Sequence, residues 1–220
     1  VFGGAIGGSN HTVQRGLSGT LLLPAEHGSG WRAESLVISN RVHFGNGQVF
    51  GDVVVTNGGS LLLDANEGDD LFSFDTLTVF NGGEVIFAGD MEQINEAAGG
   101  TTDIPYGRSP TLNVNSLVMH EGGHIHADGT GFRQARGPGR GANANLGGGG
   151  YGGAGGGSDG ETYGIVYGRD HEPMALGSGG GYGKNPEAGS GGGAVRVKVS
   201  GSAVVNGRIS ADGQKAHGKY

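Results

Sequence analysis

One short pattern recurs along this chain and limits what it can fold into. It is an apolar, β-prone run, a tight glycine turn and a second β-prone run. The copies read Val53-Val54-Val55-Thr56-Asn57-Gly58-Gly59-Ser60-Leu61-Leu62-Leu63-Asp64, then Leu77-Thr78-Val79-Phe80-Asn81-Gly82-Gly83-Glu84-Val85-Ile86-Phe87-Ala88, then Leu117-Val118-Met119-His120-Glu121-Gly122-Gly123-His124-Ile125-His126-Ala127-Asp128. A fourth copy without the double glycine is Val197-Lys198-Val199-Ser200-Gly201-Ser202-Ala203-Val204-Val205-Asn206, and a fifth, weaker one spans Leu36 to Phe44. Runs of Val, Ile, Leu and Phe flanked by Asn and Gly are strands bounded by turns. A single copy cannot bury its apolar side, whereas copies laid on one another form backbone ladders around a shared core.

The first two double-glycine turns stand about 24 residues apart, a workable coil. The later steps are longer because residues 90–110 and a glycine-rich insert intervene, and insertions leave a stack at its corners. The expected fold class is all-β: a short parallel β-solenoid (β-helix) with an inserted glycine-rich, polyproline-II-like segment. Residues 1–220 read as one domain. Residues 1–34 are an N-terminal cap or exchange arm, 35–136 the solenoid coils, 137–193 the insert, and 194–220 a final coil and tail. The stretch from Met91 to Ala98, ended by Gly99-Gly100, has the makings of two helical turns.

Glycine supplies 52 of the 220 residues, and its dense runs lie in the insert: 147–150, 152–153, 155–157, 179–181 and 191–193. Such runs suit a flexible linker. They also suit a bundle of extended polyproline-II-like strands, which only glycine lets approach closely. Tyr151, Tyr163, Ile165, Tyr167, Met174, Leu176 and Tyr182 alternate with the runs and offer packing groups, and the insert returns directly into the β-prone run from Ala194 to Val199. Order is therefore the favoured reading.

A resemblance follows from the order of parts. Gly147-Gly148-Gly149-Gly150-Tyr151-Gly152-Gly153, Tyr163-Gly164, Tyr167-Gly168, Pro173, Leu176-Gly177-Ser178-Gly179-Gly180-Gly181, Gly191-Gly192-Gly193-Ala194-Val195 and Val205-Asn206-Gly207-Arg208-Ile209-Ser210-Ala211-Asp212-Gly213 succeed one another. This resembles large glycine-rich extracellular β-solenoid surface proteins of bacteria, plants and protists, over residues 111–215. The resemblance implies an extracellular structural or adhesive setting and no reaction. The chain is more weakly similar to the glycine-rich extracellular domain of anaplastic lymphoma kinase-type receptors and to polyglycine-helix adhesins at phage fibre tips, neither of which carries site residues across.

The net charge of −7 disfavours nucleic acid and anionic membrane. The absence of cysteine excludes disulfides and thiolate metal sites. No apolar run approaches the ~18 residues of a membrane helix. A start at Val1 with no signal peptide suggests a processed form or an excerpt. Asn10-His11-Thr12 is a glycosylation sequon at Asn10 if the source is eukaryotic.

Four features offer chemistry. His120-Glu121-Gly122-Gly123-His124 fits H-E-x-x-H, but a zinc protease needs that motif on a helix, and here it aligns with turns. His124 and His126 share one strand face and, with His120 across the turn, present a place for an adventitious divalent metal. Asp64, Asn66, Asp69 and Asp70 concentrate hard oxygen ligands around Gly68, making calcium the one cofactor candidate. Tyr151, Tyr163, Tyr167 and Tyr182, with Trp31, are stacking candidates for a glycan, with packing between glycine strands as the plainer role. Glycine-rich phosphate cradles, a nucleophile–His–acid set and the cleft of a β-helical lyase find no support in the residues.

The leading expectation is a non-catalytic, secreted or cell-surface structural or self-assembling module of a fibre, sheath or adhesin. The alternative is a glycan- or receptor-binding adhesin module, and a carbohydrate-active enzyme stands third. The expected partners are other copies of the chain, other surface proteins or glycans, with neither nucleic acid nor membrane insertion. The stretch Val1–Gly30, with Thr20-Leu21-Leu22-Leu23-Pro24, would cap the first coil or add a strand to a neighbour.

Overall fold

A computed structural model describes residues 11–12, 21–23, 32–38, 41–44, 49–65, 71–89, 107, 109–141, 147–157, 162–168, 171, 174–181 and 189–215. The chain forms two compact units. The first comprises Val1–Phe87, Pro110–His126 and Arg196–Ser210, and the second Ala88–Ser109, Ala127–Val195 and Ala211–Tyr220. Asn10, Trp31, Asn66, Asp69, Asp70, Tyr182 and the stretch from Met91 to Ala98 lie outside the described residues. Among the described residues there is no helix, and the class is all-β.

The first unit holds two parallel sheets of six strands. One contains β1 (His11–Thr12), β3 (Arg32–Ile38), β5 (Val49–Val55), β7 (Leu71–Val79), β9 (Thr111–Met119) and β13 (Arg196–Val205), in that order. The other contains β2 (Leu21–Leu23), β4 (Arg41–Phe44), β6 (Ser60–Asp64), β8 (Glu84–Ala88), β10 (His124–His126) and β14 (Arg208–Ser210). Successive strands fall in alternate sheets. Leu21–Leu23 pairs in parallel with β4 of its own chain, and His11–Thr12 pairs with β3.

Register follows the repeat. Val53 pairs with Leu77, Leu77 with Leu117, and Leu117 with Ala203. Ile38, Val55, Val79, Met119 and Val205 form a second column. Alternation with period two sends these side chains inward: Ile38, Val53, Val55, Phe72, Leu77, Val79, Leu112 and Met119 are fully buried, as are Leu61, Leu63, Val85, Phe87 and Ile125 of the other sheet.

The turns joining the sheets stack as well. The amides of Gly59, Gly83 and Gly123 donate to the carbonyls of Thr56, Phe80 and His120 at 2.8, 2.9 and 3.0 Å. Gly58, Gly82 and Gly122, at the third turn position, have φ of 76°, 72° and 78°. Asn57, Asn81 and Glu121 before them do not share that conformation, so these are type II turns that require glycine at the third position. Gly58 N–H donates to Gly82 O and Gly82 N–H to Gly122 O, joining turn to turn.

The fourth copy departs from expectation. Gly201 is not a turn: β13 runs unbroken through it, with one extra residue between Val199 and Ser202. The reason lies in its neighbours. Burial alternation already breaks at Asp75-Thr76 and Asn115-Ser116, where two successive residues face outward. At this bend a Cβ on Gly201 would sit 2.7 Å from Asn115 O, so glycine accommodates a bulge there. The turn comes later, at Asn206-Gly207, and is two residues shorter than the others.

In the second unit, regular strands are confined among the described residues to β11 (Gly155–Gly156) and β12 (Thr162–Tyr163), which pair antiparallel. Elsewhere glycine backbones bond directly to one another. Gly177 and Gly180 donate to Gly192 O and Gly189 O, Gly179 to Arg136 O, and Gly181 to Gly147 O. Thus 177–181 bonds to segments around 136, 147 and 189–192. The contacts leave no room for side chains: a Cβ on Gly141, Gly179 or Gly191 would lie 1.9–2.0 Å from a backbone oxygen. Phe132, Leu176, Tyr167 and Ala194 are the buried apolar residues described here, besides Ala127.

Candidate functional site

The H-E-x-x-H residues are split by the turn. Glu121 and Gly122 form the turn and His124 opens β10, so helical zinc-protease geometry is absent from this segment. His120 is exposed and stacks on Phe80, ring centroids 4.5 Å apart and 5° from parallel. It therefore does not complete a set with His124 and His126, as the sequence suggested.

A different third residue does. Parallel pairing sets Glu84 of β8 beside His124, and Arg208 of β14 on its other side. Glu84, His124 and His126 each offer one ligand atom within 4.8 Å of the others. The two imidazoles stack with centroids 4.4 Å apart. Ser210 Oγ lies 2.8 Å from His124 Nε2 and fixes that ring. Glu84 is exposed and both histidines are half-buried, on the outward side of a sheet whose inward residues are Val85 and Ile125. Two imidazoles and a carboxylate form a donor set for a borderline divalent cation. Neither Glu84 nor Ser210 stood out in the sequence. The repeat alignment carried the signal, since Ser60, Glu84 and His124 each follow a double glycine and stacking brings such positions together.

Of the carboxylates proposed for calcium, Asp64 is half-exposed at the end of β6, and the others lie outside the described residues. Tyr163 falls in β12.

Tyr151 and Tyr167 meet edge to face at 5.1 Å and 74°. Tyr167 is 7% exposed, so its ring is a packing element and not a platform open to solvent. Its hydroxyl joins a one-way relay. Gly139 N–H donates to Ser178 Oγ at 2.9 Å, Ser178 to Tyr167 Oη at 2.7 Å, and Tyr167 to Leu176 O at 2.5 Å. Such a buried, satisfied chain fixes the packing around it. Burial pushes the Tyr167 phenol up to about 12, opposed by the Ser178 hydrogen bond and reinforced by neighbouring Tyr151. The folded state thus holds this proton more tightly than the unfolded chain, whose tyrosine value is about 10. The stability this contributes is complete below pH ~10 and is lost as pH rises through the folded value. Thermal unfolding followed from pH 9 to 12 should fall steeply at the alkaline end, and in Tyr167→Phe that fall should flatten.

The last strands form a second feature. Val205 is 46% and Ile209 48% exposed, although their ladder partners Met119 and Ile125 are fully buried. Val204 and Ala203 are exposed beside them. The same inward columns that make the core elsewhere are half-exposed here, on strands that among the described residues each pair on one side only. Comparison of the chain with protein-family models, with curated proteins and with solved structures finds no match, so the reading of these features rests on their own geometry.

Proposed function

We propose that this chain is a non-catalytic structural module, a short β-solenoid with an inserted polyglycine-II-like segment, that works outside the cell by end-to-end self-assembly. The observation that carries this reading is the apolar end formed by Ala203, Val205 and Ile209, a half-exposed continuation of core columns on which no strand is laid among the described residues. Both sheets reach their last strand at the same end of the strand order, and their first strands, β1 and β2, at the other. A second copy placed β1 on β13 and β2 on β14 continues both ladders in register direction. Such a head-to-tail contact does not close on itself and builds a fibre.

Protection of the edge is uneven, which favours the same view. Arg196, Lys198 and the bulge at Ser200-Gly201 guard the first half of β13, as charges and bulges guard edges that must stay free. The half from Ser202 to Val205 has neither. Covering the half-exposed Val205 and Ile209 side chains contributes about 2 kcal/mol. Association costs about 4–15 kcal/mol in lost freedom, so edge pairing of the backbone must supply the remainder.

The test is sedimentation velocity and electron microscopy of the full chain against a Val205→Lys/Ile209→Lys double variant. The wild type should form particles that lengthen with concentration, and the variant should stay monomeric with an unchanged circular dichroism spectrum. A wild type still monomeric at about 1 mM, where association worth about 4 kcal/mol is half complete, overturns the reading.

A further inference from the structure

We infer that Glu84, His124 and His126 form a binding site for one zinc-class divalent cation on the outer face of the second sheet. The placement is set by the fold and not by side-chain chance. His124 and His126 are two apart on a strand, which points both imidazoles to one side. The parallel ladder sets Glu84 directly beside His124. The result is a chelate across two strands, with ligand atoms within 4.8 Å of one another. Zinc bonds of 2.0–2.1 Å in a tetrahedron need ligand atoms about 3.3 Å apart. Each pair must therefore close by at most about 1.5 Å, a distance that rotation of the exposed Glu84 side chain and small ring shifts supply.

The chemistry of the set selects the ion. Two neutral imidazoles favour zinc, copper and nickel, whereas calcium and magnesium want oxygen alone. Ser210 adds an outer contact: with its Oγ on Nε2 of His124, Nδ1 is the nitrogen left to ligate a cation, and such a partner orients the ring and sets its tautomer. Arg208, the register neighbour of His124, is exposed. At an exposed position the high dielectric weakens repulsion between its charge and an ion. Three protein ligands leave a tetrahedral ion one open position. Bound there, the ion ties β8 to β10, with β14 attached through Ser210.

Isothermal titration of tag-free full chain with zinc chloride tests this. One zinc should bind per chain, and excess calcium or magnesium should not compete. His126→Ala should weaken binding more than about 100-fold, beyond the 10–100-fold range typical of outer contacts. Glu84→Gln, an exposed change that leaves the fold intact, should also weaken it, and Ser210→Ala should cost about tenfold. His120→Ala should leave affinity unchanged. The Co2+-loaded chain should show a visible d–d band that Glu84→Gln shifts. No zinc binding by the wild type overturns the inference. So does binding unaffected by both His126→Ala and Glu84→Gln, or weakened as much by His120→Ala. The Val205→Lys/Ile209→Lys variant should bind zinc as the wild type does, which separates this site from end-to-end assembly.

Discussion

Gly191→Ala should unfold the glycine-rich unit while Gly152→Ala leaves it folded. The added Cβ at 191 would lie 2.0 Å from Gly177 O and 2.3 Å from its carbonyl carbon, backbone against backbone with no rotamer to yield. Relief needs a shift of more than 1 Å, by the ordinary contact distance of about 3.5 Å between non-bonded atoms. That shift opens a lattice of short bonds: Gly191 N–H to Phe132 O at 2.9 Å, Gly131 N–H to Gly191 O at 2.9 Å and Gly177 N–H to Gly192 O at 2.8 Å. Each buried group left unpaired costs about 1–3 kcal/mol, so three broken bonds exceed about 4 kcal/mol, in the range where a substitution is diagnostic of its mechanism. At Gly152 a Cβ meets nothing within 4 Å and the backbone lies outside the left-handed region. There alanine should stabilise by about 0.4–1 kcal/mol through the unfolded chain. Hydrogen exchange over residues 131–192 reads both outcomes. Unchanged protection in Gly191→Ala would refute close packing of these segments.

Ile125→Ala and Ile209→Ala should differ by several kcal/mol although they remove the same atoms from one ladder. Ile125 is fully buried between Val85 and Ile209 in register, and its truncation should cost about 2–5 kcal/mol in transfer and cavity terms. Among the described residues Ile209 pairs on one side only, and it is 48% exposed, so its loss in the monomer should fall within about 0.5 kcal/mol, as at ordinary surface sites. Denaturant unfolding of dilute protein separates the two. Repeating the measurement on assembled material should raise the cost at 209 toward that at 125, because a neighbour then covers it.

Much of the first unit was legible because its rungs repeat a pattern that physics can read from either end. The alternation of Leu77 and Val79 with Thr78, and the Asn-Gly-Gly turns, fix side-chain direction and chain reversal together. The aligned double glycines fix register. Gly201 misled, because a glycine in a β-prone run signals both a turn and a bulge, and only the outward pair Asn115-Ser116 on the neighbouring strand decides which. Glu84 escaped notice for a related reason. It lies 40 residues from His124 in sequence, and only stacking makes them neighbours. In the second unit packing between glycine strands was the plainer reading of the tyrosines, but the contacts that bury Tyr167 were not legible. Burial of Tyr167 depends on the Ser178 relay and on glycine segments whose pairing has no sequence period to betray it.

The ladder from Val53 through Leu77 has a consequence for the gene. Because 24 residues of chain carry the column from Val53 to its partner Leu77, duplicating that many codons would add one step and keep the pairing of the steps after it. Variation in such a protein can therefore arrive in whole increments, each shifting the far end by about 4.8 Å, so that selection can set reach by copy number alone.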